Sequence, residues 1–127
     1  MLLSRFEMSD KTDKLGKELS KGMQQKLSIC CALLPEPKVV LFDEPFVGLD
    51  PHAIKELKAV MTELRYDECA VLISTHMLDS VEEFWDKALI MRNGQIAAVR
   101  ERKEIEQSGE DLEKLFFEIT EGRGESQ

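Results

Sequence analysis

The chain has 127 residues, 43% of them hydrophobic and 33% charged, with a formal net charge of −8. That is enough apolar mass for one modest core. No apolar run approaches a membrane span or a signal-peptide core, so the reading is a soluble, cytoplasmic piece. The acidic balance argues against a nucleic-acid partner, which calls for a basic stripe.

In chain order, residues 1–18 are polar and mixed in charge, with Leu2, Leu3 and Phe6 as the face of a short helix. Ser20 reads as an N-cap. From Lys21 to Leu34 the residues Met23, Leu27, Cys30, Cys31 and Leu34 recur at helical spacing until Pro35 and Pro37 end the helix. Val39–Phe42 is apolar throughout, which predicts a strand buried on both faces, as in a parallel sheet. Pro45 forbids its continuation, and Asp50-Pro51 starts a helix with Ile54, Leu57, Val60, Met61 and Leu64 as its core face. A second buried strand, Cys69–Ser74, leads through Thr75-His76 into a helix from about Met77 to Trp85. Ala88–Met91 and Gln95–Val99 flank Asn93-Gly94, a strong hairpin signal. After a charged stretch at 100–107, Leu112, Leu115, Phe116 and Ile119 form a last helical stripe, and residues 121–127 read as a frayed tail. Strand, helix, strand, helix and hairpin predict an α/β domain with parallel strands and flanking helices. Cys30, Cys31 and Cys69 lie in apolar segments without metal-type spacing and read as small buried hydrophobes of a reducing compartment.

Four places carry chemistry. Ser20 and Gly22 at a helix start leave backbone N–H groups and the positive end of the helix dipole for an anion, or serve as an ordinary cap. Asp43 and Glu44 end an apolar strand, where phosphoryl transfer needs one carboxylate for Mg²⁺ through its water shell and another to orient or deprotonate water. Asp50 suits a capping role. His76 follows the second strand, at the carboxyl edge where α/β sheets place their ligands. His52, in a first helical turn, receives no role.

In this order the residues resemble the ATP-binding cassette (ABC) ATPases, the motor subunits of ABC transporters. Leu19-Ser20-Lys21-Gly22-Met23 is similar to the signature motif, Val39–Glu44 to the Walker B strand, Gly48–Pro51 to the D-loop, and His76 to the switch histidine. The resemblance implies a P-loop NTPase fold over residues 1–120. Residues 1–34 would end a helical subdomain, 35–99 would run from Walker B to the switch, and 100–120 would form C-terminal helices. It implies ATP and Mg²⁺ as cofactors, with Asp43 holding Mg²⁺ through water, Glu44 as general base or water-orienting group and His76 on the γ-phosphate. Ser20 and Gly22 would bind the nucleotide of a second ATPase subunit, and Asp50 would couple the two sites of the dimer. A membrane permease would be the other partner, placing the chain peripherally on the inner face of the membrane. The segment Leu112–Thr120 resembles the ends of subunits serving ABC-2 exporters. Three positions depart from the family pattern: Lys21 and Met23 replace the first glycine and the glutamine of the commonest signature, Leu-Ser-Gly-Gly-Gln, and Phe46 stands where a small polar residue is common.

None of the seven glycines begins the Gly-x-x-x-x-Gly-Lys-[Ser/Thr] pattern of a phosphate cradle. The sequence therefore reads as the C-terminal part of such a domain, expected to bind ATP weakly alone because Asp43 and Glu44 add negative charge with no cradle lysine to offset it. Two other readings stand beside the transporter subunit. One is a non-catalytic pseudo-subunit donating its signature in trans. The other is a soluble ABC-type ATPase not linked to transport.

Overall fold

A computed structural model describes residues 2–11 and 20–122, in two compact units, Met1–Met77 and Leu78–Gln127. Leu19 of the expected signature and residues 123–127 of the expected tail lie outside the described residues.

The first unit opens with α1 (Leu2–Arg5) and a 3₁₀ turn (Ser9–Lys11), then α2 (Lys21–Leu33), β1 (Val39–Asp43), α3 (Pro51–Tyr66) and β2 (Ala70–Ser74). Phe6 and Met8 are buried, and the Arg5 guanidinium donates to Glu56 at 3.1 Å and to both carboxylate oxygens of Glu63 at 3.0 and 2.6 Å, tying α1 to α3. β1 and β2 pair in parallel, from Val39 opposite Ala70 to Asp43 opposite Ser74, with α3 as the crossover. Ala53, Leu57, Val60 and Met61 supply its buried face.

Two expectations for this unit are corrected. The strands are buried on one face only: Val40 and Phe42 are covered, whereas Val39, Leu41 and Leu72 are 61%, 71% and 58% exposed. Alternate strand side chains point to opposite faces, and among the described residues only two strands pair here, so the face opposite Val40 and Phe42 stays open. The inner face of α2 is also shifted. Ile29, Cys30 and Leu33 are buried, while Cys31 is exposed and Leu34 is 77% exposed as the C-cap. At 3.6 residues per turn the inner line runs through Gly22, Gln25 or Lys26, Ile29 and Leu33. Its first two turns are therefore small or polar, invisible to a search for apolar spacing.

The second unit comprises α4 (Leu78–Val81), the antiparallel pair β3 (Lys87–Arg92) and β4 (Gln95–Glu101), α5 (Arg102–Ser108) and α6 (Leu112–Thr120). Asn93 and Gly94 both take positive φ, 52° and 76°, as a two-residue turn matched to strand twist requires. The helix expected through Trp85 stops at Val81. The carbonyls of Glu82 and Trp85 accept instead from Arg102 Nη1, at 2.9 and 3.2 Å, while the guanidinium lies 5.5 Å from the centre of the Trp85 ring. No helix among the described residues is long and apolar enough to cross a membrane.

Candidate functional site

The site is built where β1 ends. Asp43 is the last strand residue and is exposed opposite Ser74. Glu44 leaves the strand with φ of 47°, a left-handed conformation that costs a non-glycine residue about 1–3 kcal/mol. The following Pro45 restricts it further, since a residue before proline is steered to extended backbone. The turn persists because it is held from several sides. Glu44 N donates to Ser74 O at 2.7 Å, Pro45 and Phe46 are fully buried, and Gln25 Nε2 donates to Pro45 O at 2.9 Å. Phe46, where a small polar residue is common in the resembled family, thus anchors the turn in the core.

That backbone twist separates the two acids and aims Glu44 at the end of β2. Its Oε1 accepts from the His76 backbone N–H at 2.9 Å, and its Oε2 lies 3.1 Å from His76 Nδ1. Oε2 is nevertheless a buried oxygen without a hydrogen bond, so the ring approaches it without donating in good alignment. The His76 side chain is 74% exposed, which leaves its far nitrogen, Nε2, to solvent or ligand. The structure thus brings together Glu44 and His76, 32 residues apart in the chain.

Ser20 caps α2: its Oγ accepts from Met23 N at 3.1 Å, and no acid stands in the first turn. Lys21 and Gly22, the first two helical residues, have N–H groups with no intrahelical acceptor, the usual basis of anion attraction. Gly22 has a second reason to be glycine. A β-carbon there would stand 2.6 Å from the carbonyl oxygen of Gly48, so the D-loop backbone rests directly on the start of α2. Gly48 itself has φ of 82°. Asp50 performs the capping role: its Oδ1 accepts from Ala53 N at 2.8 Å, and Oδ2 lies 4.0 Å from Lys26 Nζ.

Lys21, Gln24, Gln25, Glu44, Gly48 and His76, together with Val47, line one open cleft of about 610 Å³. Of the residues expected from sequence, it gathers Glu44 and His76 and abuts Gly22 through Gly48; Ser20, Asp43 and Asp50 are not among its lining. Sequence reasoning missed Gln25 and Lys26. Their signal was position rather than chemistry, since both fall on the inner line of α2.

Among the described residues no three His, Cys, Asp or Glu side chains cluster to hold a metal by themselves. The exposed Asp43 carboxylate at the strand end does fit a hard divalent cation that takes its other ligands from water and phosphate.

Known proteins of similar sequence and structure point the same way. A family model described as "AAA domain, putative AbiEii toxin, Type IV TA system" matches residues 12–78. The ABC-type transporter ATP-binding protein EcsA of Bacillus subtilis is 40% identical over 94% of this chain and 50% of its own length. The lipopolysaccharide export system ATP-binding protein LptB of Haemophilus influenzae is 31% identical over 91% of this chain and 48% of its own. A solved structure of an ATP binding subunit of an ABC transporter superposes with a TM-score of 0.85 at 36% identity, covering 93% of this chain and 51% of that one. The chain thus spans about half the length of each of these three proteins.

Proposed function

Because the chain belongs to the ATP-binding cassette ATPases, the family of ABC transporter ATP-binding proteins, we propose that it supplies the water-activating part of an ATP site in a transporter, with residues 1–120 as the C-terminal part of the nucleotide-binding domain. The observation that carries this reading is the Glu44 carboxylate, turned out of the strand end against His76 and lining an open cleft with Lys21.

In this reading Glu44 orients the attacking water and accepts its proton, and His76 Nε2 meets the γ-phosphate. The hydrogen bond from the His76 backbone N–H holds one carboxylate oxygen in place, and Oε2, covered by the exposed His76 ring, has lone pairs that a turn of that ring would open to the water. Magnesium, held by Asp43 through water, supplies neutralisation of phosphate charge. The phosphate cradle lies outside these 127 residues, in the same polypeptide or a partner, because no glycine among them begins the pattern. Ser20 and Gly22 face the nucleotide of a second ATPase subunit, and Asp50 lies at that dimer interface, where its cap on α3 fixes the D-loop. The complex sits on the cytoplasmic face of the membrane against a permease, and the ending Leu112–Thr120 favours an ABC-2 exporter.

The test is Glu44→Gln in the complete protein with its partners. Hydrolysis should fall about 10²–10⁴-fold while ATP still binds; unchanged hydrolysis would reject the role of Glu44. The missing glycine pattern also favours a second reading, a pseudo-subunit that donates Ser20 and Gly22 to an intact cassette. Under that reading Glu44→Gln leaves hydrolysis intact, whereas Ser20→Arg abolishes it.

A further inference from the structure

We propose that Gln25 is a positioning residue that couples the signature end of α2 to Glu44 within one subunit. The inference rests on the reading of Glu44 just given and goes beyond it, since it assigns to α2 a part in its own subunit's hydrolysis.

The acceptors identify the side chain's task. Gln25 Nε2 donates to Pro45 O at 2.9 Å and reaches Glu44 O at 3.5 Å. Both partners are carbonyls, so the face of the amide turned toward them has to be its NH₂ group. Those two carbonyls bracket the Glu44–Pro45 segment, where an unfavourable φ precedes a proline. Such a turn persists only when its surroundings over-determine it. β2 holds it from one side, through Ser74 O, and α2 holds it from the other, through Gln25. Rotation of this segment swings the Glu44 carboxylate away from the His76 N–H.

The same helix begins with Ser20 and Gly22, less than two turns before Gln25. Gly22 is seated on the Gly48 carbonyl, at the far end of the turn that Glu44 begins. The start of α2 therefore touches the Glu44–Gly48 loop at two places, Gly22 on Gly48 and Gln25 on Pro45. Displacement of that helix end by an anion held at its N-terminus is passed to the peptide bearing Glu44. A cap alone, without Gln25, would leave the carboxylate's position to β2.

The experiment uses the complete protein with its partners, measuring ATP hydrolysis for Gln25→Met, Gln25→Glu and Gln25→Lys, with Glu44→Gln in parallel. Met keeps the volume without a donor, Glu puts a carboxylate against two carbonyls, and Lys restores an N–H donor. The expected result is a kcat lowered about 10–100-fold in the Met and Glu variants, with KM changed less than about twofold. Lys recovers most of kcat, and thermal unfolding of Gln25→Lys and Gln25→Glu differs little, so a difference in kcat between these two polar variants reports the donor rather than the fold. Wild-type kcat in Gln25→Met, or equal loss in Lys and Glu, overturns the proposal. The parallel variant separates the two failures. Activity surviving Glu44→Gln means that the reading of the site is wrong, whereas activity lost there but kept in Gln25→Met removes only the role of Gln25.

Discussion

Replacing Gly22 by alanine is the most direct probe of how the signature helix meets the site. The added β-carbon would lie 2.6 Å from the Gly48 oxygen, and real contacts of this kind essentially never fall below 3.0 Å. A backbone displacement of at least 0.4 Å (3.0 − 2.6) is therefore required, and the obstructing atom is backbone rather than a mobile side-chain tip. Overpacking of this sort costs about 1–3 kcal/mol. Alanine recovers part of that through helix propensity, about 0.5–1 kcal/mol in a helix interior and less in a first turn. The net expectation is a destabilisation of about 1–2 kcal/mol, read by urea unfolding as a midpoint lowered by about 0.5–1 M. Gly109→Ala is the control: it has φ of 74° with nothing within 4 Å of the added carbon, so it loses only the left-handed preference, about 1 kcal/mol. Gly22→Ala as stable as wild type, or more so, would refute the close approach of the D-loop to α2.

Thiol labelling of the folded chain should find one fast cysteine, the exposed Cys31, and two slow ones, Cys30 and Cys69, with all three reacting once unfolded; fast labelling of Cys30, whose thiol burial pushes upward, would contradict the packing of α2. Arg5→Met should cost about 0.2–1 kcal/mol at pH 7, since the ion pairs are partly exposed. The Arg5 hydrogen bond holds the Glu63 carboxyl below its ordinary value, so the pair stabilises the fold above the ordinary glutamate range, and its contribution fades as pH falls through the folded value. The gap between wild type and Arg5→Met should thus close in urea titrations below about pH 4, and a gap independent of pH would assign the loss to packing of the arginine stem.

How much of this was legible in the sequence depended on the kind of signal each residue carried. The Asp50-Pro51 helix start, the Ser20 cap and the Asn93-Gly94 turn are local: the chemistry of two or three residues fixes the backbone, and each stands where the sequence placed it. That Glu44 and His76 follow neighbouring parallel strands at one edge was legible from the two apolar runs; the contact between them was not. The buried faces were less legible. Val39 and Leu41 are as apolar as Val40 and Phe42, and nothing in their side chains says which neighbour is present to cover them. On α2 the pattern of apolar residues misled, because its first inner turns are Gly22, Gln25 and Lys26. The early end of α4 had no local signal: the Glu82 and Trp85 carbonyls accept from Arg102, twenty and seventeen residues further on.

The inward residues at the start of α2, of which the sequence reading named only Gly22, share one property that bears on function. Gly22, Gln25 and Lys26 face inward without being apolar, and each meets the loop between Glu44 and Asp50: Gly22 at the Gly48 carbonyl, Gln25 at the Pro45 carbonyl, Lys26 near the Asp50 carboxylate. At Gln25 and Lys26 an inward face built for packing alone would carry leucine or alanine, with no polar group to satisfy. Three successive contacts from one helix end to one loop instead specify the loop's shape, and that loop begins with a strained glutamate which nothing in its own chemistry favours. The polar start of α2 is thus best understood as part of what holds Glu44 in place, so substitution of Gln25, unlike that of Gly22, should act on catalysis before it acts on stability.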